Sequence, residues 1–253
     1  MYQSIVFFDL DGTLLNSKNA LSKDVVEAIR RLKENNVLPV IATGRSIEES
    51  QLALTTCGID SIIAMNGSLT VHKNEILDRK AISKEVCYKL HRETKKVKAS
   101  LAFFSESLAW CTDHSVALST TFKRLSLPLP ELHTCPYLDN PILSMVMCSE
   151  NIDDRFLENF PELTFYKVTP SSFDIVRSGT NKGSGVEKFL KRFSGIKTFA
   201  FGDGVNDLSL FEKCDIGIAM ENGVSELKAE ADFITSHHDK GGIIQGLTHY
   251  ELI

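Results

Sequence analysis

Two carboxylates at the end of an apolar run are the first residues in the sequence that could do chemistry. Residues 5–8 are apolar, and Asp9, Asp11, Gly12 and Thr13 follow them directly. Residues i and i+2 of an extended chain share a face, so the two carboxylates can meet one ligand. They suit a nucleophile with an acid–base partner, or half of a divalent-metal site. Asp-Gly after an apolar run is equally typical of a hairpin turn, and this stretch alone does not decide between the interpretations.

Three further polar segments accompany other apolar runs or predicted helices. Thr43-Gly44-Arg45 places a hydroxyl and a flexible backbone N–H at the predicted start of a helix, where anions are favoured. Lys182 opens another predicted helix against its macrodipole, which indicates an anion nearby. Residues 201–207 follow an apolar strand and supply three more polar groups, those of Asp203, Asn206 and Asp207. Each segment alone also has a structural explanation, as a helix cap, a solvated lysine or a polar turn.

The elements around these segments alternate between strand and helix. Residues 22–36 carry apolar side chains at helical spacing, with Ser22 as the predicted N-cap. Alternation in the first 70 residues and after about residue 180 predicts a parallel sheet with right-handed crossovers. The middle of the chain mixes helices with adjacent strands. The predicted fold class is therefore α/β, with a doubly wound, mainly parallel, Rossmann-like core (residues 1–81 and 181–253) and an inserted α+β domain (residues 82–180).

This arrangement predicts where the polar segments meet and what they bind. Open α/β sheets place ligands beyond the carboxyl ends of their strands, where the polar segments are predicted to lie. Carboxylates from two such loops repel one another unless a divalent cation lies between them. Oxygen ligands without histidine or cysteine favour Mg²⁺ over zinc. With Lys182 and backbone N–H groups added, the expected ligand is a dianion, and phosphate is the natural candidate.

Composition excludes several classes of function. The 253 residues are 43% hydrophobic and 24% charged, as in ordinary globular proteins. The formal net charge of −5 and the lack of basic runs argue against nucleic acid or an anionic membrane as partner. No apolar stretch approaches the ~20 residues of a membrane helix, and the N-terminus lacks a signal-peptide pattern.

Cysteine and histidine usage gives no metal-ligand pattern of its own. The six cysteines are scattered without a Cys-x-x-Cys pair, and we expect reduced thiols in a cytoplasmic protein. His237-His238 lies in a polar stretch and is expected to be solvated rather than ligating. The sequence does not specify the oligomeric state.

The order of the motifs DLDGTLL, TGR, NKG and GDGVND resembles that of the haloacid dehalogenase superfamily of phosphohydrolases. Asn66-Gly67 and the large insertion after it resemble the Cof-type branch of sugar-phosphatase-like hydrolases, whose α/β cap lies between the second and third motifs. The resemblance spans the whole chain. One departure is Glu221, where relatives usually carry a small residue, and we expect its carboxylate to face solvent.

The resemblance implies a Mg²⁺-dependent phosphomonoesterase that acts on a small phosphorylated metabolite, such as a sugar phosphate or a cofactor phosphate. Asp9 is the implied nucleophile, which forms an aspartyl-phosphate, and Asp11 is the implied general acid and base. The implied Mg²⁺ ligands are the Asp9 carboxylate, the Asp11 backbone carbonyl and Asp203, while Asp207 ligates through water or orients the catalytic Lys182. The implied phosphate-binding groups are Lys182, the Leu10 N–H, Thr43, the Gly44 N–H and Asn206.

Two other functions are compatible with the same motifs. Phosphomutases share them and return the phosphoryl group to substrate instead of water. A phosphorylatable, receiver-like or metabolite-sensing module also clusters acids and a lysine at strand ends. Receivers are usually about half this length and need no second aspartate at the +2 position.

Overall fold

The apolar runs of the sequence form the strands of two separate sheets. The computed structural model describes residues 2–125, 127–149 and 153–253. One unit comprises Met1–Arg45, Ser50–Asp78 and Asn181–Ile253, and the other comprises Ser46–Glu49 and Arg79–Thr180. Each unit has a sheet and a hydrophobic cluster of its own.

Strands and helices are numbered in chain order. The strands are β1 (Ser4–Phe8), β2 (Val37–Ala42), β3 (Ser61–Ala64), β4 (Leu69–His72), β5 (Glu75–Arg79), β6 (Ser100–Phe104), β7 (Ala109–Cys111), β8 (Glu131–Leu132), β9 (Ser144–Cys148), β10 (Leu163–Thr169), β11 (Ser172–Arg177), β12 (Lys197–Gly202), β13 (Ile216–Ala219) and β14 (Phe233–Ile234). The helices are α1 (Lys23–Glu34), α2 (Ile47–Cys57), α3 (Lys84–Lys96), α4 (Val116–Arg124), α5 (Asp154–Glu158), α6 (Lys182–Leu190), α7 (Leu208–Phe211), α8 (Ser225–Ala229) and α9 (Gly242–His249). Among the described residues, no helix combines the length and apolar character that crossing a membrane requires.

The sheet of the first unit is mainly parallel, in the order β14-β13-β12-β1-β2-β3-β4-β5. All residues of β1 and β2 are buried, as is typical of strands covered on both faces. Phe7 packs edge-on against Phe189 of α6, with 5.7 Å between ring centroids. Phe8 points to the opposite face and stacks on Phe201, against which Gly246 of α9 lies. Helices therefore cover both faces, and the predicted doubly wound α/β fold is confirmed.

The register of the three central strands positions the polar segments. β1 pairs in parallel with β2 and with β12, so that Phe8 lies opposite both Ile41 and Phe201. The segments that follow these strands therefore start at the same edge of the sheet, at Asp9, Thr43 and Asp203. Because both of the strands that flank β1 run parallel to it, the hairpin interpretation of Asp11-Gly12 is wrong.

The second unit has the predicted α+β character. Its sheet has the order β10-β11-β9-β6-β7-β8, and every pair is antiparallel except β7 with β8. Leu101, Phe103 and Met145 lie in its hydrophobic cluster, together with Leu90 of α3. Serine side chains begin two of its helices, since Ser83 accepts a hydrogen bond from the Val86 N–H and Ser115 does the same for Leu118 in α4.

The local predictions hold where the sequence carries a strong signal. Helix α1 lies within the predicted range, and Ser22 accepts a hydrogen bond from the Val25 N–H as its N-cap. The antiparallel strands β4 and β5 are not assigned by the sequence analysis. Their turn places Lys73 and Asn74 at φ 49° and 66°, without the glycine that usually marks such a hairpin.

Candidate active site

The segment after β1 turns sharply toward the end of β12. The Asp9 N–H donates to the Phe201 carbonyl at 3.0 Å, which ties the end of β1 to the neighbouring strand. Gly12 then adopts φ +75°, a left-handed conformation that favours glycine. A Cβ at Gly12 would also overlap the Asp203 carboxylate. The left-handed backbone therefore requires glycine at position 12, and so does the close approach of this turn to Asp203.

Lys182 is fully buried at the start of α6 and is bonded to two carboxylates. Its Nζ donates to Asp9 Oδ1 at 2.6 Å and to Asp207 Oδ1 at 2.7 Å. Burial alone would lower the pKa of Lys182, but the Asp207 and Asp9 carboxylates outweigh burial and raise the pKa above its ordinary value. Lys182 is therefore a cation, and its positive charge lies where the first turn of α6 favours an anion.

Asp207 organises the loop after β12 from a fully buried position. Its Oδ1 accepts from Lys182, and its Oδ2 accepts the backbone N–H groups of Asp203 and Gly204, each at 3.0 Å. Both carboxylate oxygens are thus used within the protein. Of the two roles that the family resemblance implies for Asp207, this geometry supports the orientation of Lys182.

Asp203 faces the turn after β1. The Thr13 hydroxyl and the Asn222 amide each donate to its carboxylate at 3.3 Å. Burial and the nearby Asp207 charge raise the pKa of Asp203 to about 6, although Lys182 opposes them. The Asn222 amide also donates to the Gly12 carbonyl at 2.8 Å and so holds the two acidic loops together.

Three of these carboxylates form a group suited to a cation. One carboxylate oxygen from each of Asp9, Asp203 and Asp207 lies within 4.8 Å of the others. Burial raises the pKa of Asp9 well above its usual range, and the neighbouring carboxylates add to this effect while Lys182 opposes it. Burial, and after it the neighbouring carboxylates, disfavours the ionised forms of Asp9 and Asp203. When ionised, the three carboxylates carry more negative charge than Lys182 neutralises. An oxygen-only donor set with unmet negative charge fits Mg²⁺.

Asp11 and Arg45 form an ion pair that the sequence analysis does not predict. Arg45 Nε donates to Asp11 Oδ2 at 2.9 Å, and a terminal nitrogen of Arg45 donates to Asp11 Oδ1 at 2.6 Å. The Arg45 side chain is 11% exposed, whereas that of Asp11 is 45% exposed. The only signal in the sequence is that an arginine ends the Thr-Gly-Arg segment, and nothing in that segment names its partner.

Thr43 and Gly44 lie in a tight turn before α2. Thr43 is fully buried, its N–H donates to the Ile63 carbonyl at 2.9 Å, and its Oγ1 accepts the Arg45 N–H at 3.1 Å. The helix predicted to begin at this segment is present, but α2 starts just after the segment, at Ile47.

Asn206 and Leu10, the other two predicted phosphate-binding residues, lie in the loops after β12 and β1. Asn206 Nδ2 donates to Asn66 Oδ1 at 3.0 Å. Leu10 follows Asp9 directly, and its side chain is fully buried. The structure thus brings Asp9, Lys182, Asp203 and Asp207 into direct contact or close proximity, while Leu10, Asp11, Thr43 and Asn206 lie in the adjoining loops.

His238 does not match the expectation of a solvated side chain. Its side chain is 11% exposed, and its Nδ1 bonds the Leu15 carbonyl at 2.7 Å. The preceding His237 accepts the Asp239 N–H at Nδ1, 3.1 Å away. Glu221 is exposed as expected, and its carboxylate accepts the His237 N–H at 3.1 Å. The polar stretch is thus anchored to the loops around the site.

A family model and several known proteins match this chain. The model of the haloacid dehalogenase-like hydrolases matches residues 6–247. The 5-amino-6-(5-phospho-D-ribitylamino)uracil phosphatase YwtE of Bacillus subtilis (strain 168) is 27% identical over 279 residues, which cover 94% of each chain.

Two solved structures extend the similarity to the fold. The crystal structure of a hypothetical protein from Geobacillus kaustophilus HTA426 has a TM-score of 0.91 and 30% identity, covering 99% of this chain and 100% of that one. The subclass IIB sugar phosphatase BT4131 has a TM-score of 0.86 and 25% identity, with the same coverage.

Proposed function

The chain belongs to the haloacid dehalogenase-like hydrolases, and we propose that it is a Mg²⁺-dependent phosphomonoesterase that forms an aspartyl-phosphate on Asp9. The observation that carries the proposal is the buried Lys182, bonded to Asp9 and Asp207 beside Asp203. Phosphoryl transfer depends on positioning and on charge neutralisation. Lys182 supplies a fixed positive charge on the Asp9 carboxylate, and the neighbouring carboxylates can hold a divalent cation.

Asp9 is the nucleophile in this proposal. A carboxylate oxygen of Asp9 forms a bond to phosphorus, and the ester P–O bond breaks. Lys182 holds Asp9 Oδ1 at 2.6 Å and counteracts the burial that favours its protonated form. Only the ionised carboxylate is nucleophilic, so Lys182 both orients Asp9 and keeps it reactive.

Asp11 supplies the proton that the departing alkoxide needs and later takes a proton from the water that attacks phosphorus. A general acid must present a protonated oxygen to the leaving group. Both Asp11 oxygens accept hydrogen bonds from Arg45. Asp11 therefore has to exchange Arg45 for the substrate before the first step, and its 45% side-chain exposure leaves room for that rotation.

Mg²⁺ would be held by the carboxylates of Asp9 and Asp203 and by the Asp11 backbone carbonyl. When bound, it neutralises charge on the phosphoryl group and on the carboxylate that attacks it. Asp207 would act on this ion through Lys182 or through a water. The phosphoryl oxygens would be held by Lys182, the Leu10 N–H, Thr43, the Gly44 N–H and Asn206.

The proposed substrate is a small phosphorylated metabolite, either a sugar phosphate or a cofactor phosphate. BT4131 is named as a sugar phosphatase, and YwtE as a phosphatase of a phosphorylated ribitylaminouracil. We assign catalysis to residues 1–81 and 181–253 and the role of a cap domain to residues 82–180. The six cysteines are unpaired, which supports a reducing, cytoplasmic setting.

Phosphate release from a panel of sugar, nucleotide and cofactor phosphates tests this function. We expect Mg²⁺-dependent release that chelation abolishes, with Asp9→Asn as the blank. Conversion of a sugar phosphate into its isomer without phosphate release would instead identify a phosphomutase. An acyl phosphate that is stable in the wild-type protein, with no ester turned over, would identify a sensing module.

A further inference from the structure

The turn Met65–Gly67, directly after β3, has an unusual backbone. Its three residues have φ 51°, 50° and 92° in succession. Left-handed conformations at two consecutive non-glycine residues are costly and persist only where surrounding contacts enforce them. Asparagine tolerates this region better than most residues do, which suits it to the central position.

Backbone hydrogen bonds attach this turn to residues 43–45. The Met65 N–H donates to the Arg45 carbonyl, and the Asn66 N–H donates to the Thr43 carbonyl, each at 2.9 Å. These bonds hold the two ends of the Thr-Gly-Arg turn. The left-handed backbone is therefore fixed to a segment that the proposed function uses for phosphate.

The same turn also abuts the start of α6. A Cβ at Gly67 would overlap the Asn181 carbonyl, so the two backbones approach as closely as a glycine permits. Asn181 is the N-cap of α6 and directly precedes Lys182. The turn thus contacts two segments that hold proposed phosphate ligands.

The Asn66 side chain reaches a third segment. Asn66 is 1% exposed, and its Oδ1 accepts a hydrogen bond from Asn206 Nδ2 at 3.0 Å. A primary amide has two N–H donors, so Asn66 engages one of them and leaves the other for a ligand. A carboxamide held at one N–H cannot rotate freely, and its remaining N–H keeps a fixed direction.

We propose that Asn66 is a positioning residue for phosphoryl transfer, which fixes the Asn206 carboxamide on the phosphoryl group. The proposal rests on the phosphatase function and adds to it a buried residue that acts through Asn206. Loss of the Asn66 oxygen frees the Asn206 amide to turn, so phosphate binding weakens. Within the part of the chain that the structure describes, the Asn66 side chain bonds Asn206 rather than a proposed metal ligand, so Mg²⁺ binding is unaffected.

A double-mutant cycle separates this role from a general effect on the fold. The variants are Asn66→Gly, Asn206→Ala and their combination, and the measurement is the affinity for inorganic phosphate with Mg²⁺ present. Glycine keeps the left-handed backbone of residue 66 and removes only the side chain. Asn74→Gly is the matched control, because Asn74 has φ 66° in the turn between β4 and β5.

The expected result is a loss of about fivefold to tenfold in phosphate affinity for Asn66→Gly, the effect of one hydrogen bond. The same substitution should change affinity less than about twofold when Asn206 is already alanine, since the two residues act as a pair. Asn74→Gly should leave phosphate affinity unchanged. Unfolding midpoints in urea and Mg²⁺ affinity should stay near wild type for Asn66→Gly.

Equal losses in both Asn206 backgrounds would overturn the proposal, as would no loss in the wild-type background. If the wild type binds phosphate but hydrolyses no ester, the phosphatase function fails while the cycle still decides whether Asn66 positions Asn206. Absence of phosphate binding by the wild type with Mg²⁺ would overturn both proposals.

Discussion

Lys182 is the residue on which the charge balance of the site depends. It is fully buried and pairs with two carboxylates, and removing one member of a buried ion pair typically costs about 3–5 kcal/mol. We therefore expect Lys182→Met to lower the free energy of unfolding by about that amount, measured by urea titration. The exposed Lys191, at the end of the same helix, provides the control Lys191→Met, which should be near neutral.

The decrease in the free energy of unfolding caused by Lys182→Met should also depend on pH. Without the lysine, Asp9 keeps the burial and the carboxylate neighbours that raise its pKa in the folded state. A carboxyl group whose folded pKa lies above its unfolded pKa costs stability that grows as the pH rises through that interval. The free energy of unfolding that Lys182→Met loses should therefore be larger at pH 8 than at pH 5. An equal loss at both pH values would contradict the assignment of Lys182 as the cation that keeps Asp9 ionised.

Asp9 and Asp11 should respond differently to the same substitution. Asp9→Asn removes the nucleophile and should leave no measurable turnover. Asp11→Asn keeps the nucleophile and should slow turnover by about 10²–10⁴-fold, the usual range for a general acid–base group. Steady-state phosphate release measures both, and wild-type-like turnover by the Asp9 variant would rule out the nucleophile assignment.

The sequence does not predict which side chains of the site bond to one another. The pair Asp11–Arg45 joins residues 34 positions apart, and no local pattern relates them. The same holds for the bond between Asn66 and Asn206, which are 140 positions apart. These contacts follow from the register of separate loops and become visible only when the strands are placed side by side.

At the scale of elements, the turn after β1 depends on Gly12 for two separate reasons. Gly12 has φ +75°, and a Cβ there would overlap the Asp203 carboxylate. Gly195 has φ +67°, and a Cβ there would meet no described atom within 4 Å, so Gly195→Ala measures the backbone cost alone. Both alanine variants should lose about 1–2 kcal/mol of stability from the left-handed conformation.

Only Gly12→Ala should weaken Mg²⁺ binding, because the new methyl group displaces the Asp203 carboxylate. Titration calorimetry with Mg²⁺ on the two alanine variants gives this comparison. Similar Mg²⁺ affinities would contradict the placement of Asp203 as a ligand.

The elements themselves are predicted best where the sequence is most regular. Strands β1 and β2 are buried and apolar apart from Ser4, and β12 contains the buried apolar run 199–201. Helix α1 has both an N-cap and helical spacing. Strands β4 and β5 are missed because their hairpin turn lacks glycine and β5 is only partly buried, so neither turn chemistry nor alternation marks them. Helix α2 is present as predicted, and it begins at Ile47, just after the Thr43-Gly44-Arg45 turn.

At the scale of the whole molecule, the order of the polar segments along the chain predicts the site, because a parallel sheet collects the segments after its strands at one edge. The sequence cannot predict how much unmet charge results there. The charge that each carboxylate carries depends on its burial, which raises the pKa values of Asp9 and Asp203 and so favours their neutral forms.

Mg²⁺ should therefore stabilise the whole chain in a pH-dependent manner. The pKa of Asp203 is about 6 without metal, so below that pH a proton competes with the ion for the carboxylate. Above pH 6 the ionised cluster destabilises the metal-free protein, and Mg²⁺ relieves that cost. The rise in melting temperature on adding Mg²⁺ should be larger at pH 7.5 than at pH 5, and the opposite trend would contradict the metal assignment.

Covalent trapping shows whether a phosphoryl group passes through Asp9. Asp11→Asn protein is mixed with Mg²⁺ and an ester from the active panel, quenched in acid, reduced with borohydride and mapped by peptide mass spectrometry. We predict that the carboxyl of residue 9 is converted to the alcohol of homoserine, and that this product is absent without substrate. Turnover with an unmodified Asp9, or modification of a different aspartate, would show that Asp9 is not the nucleophile.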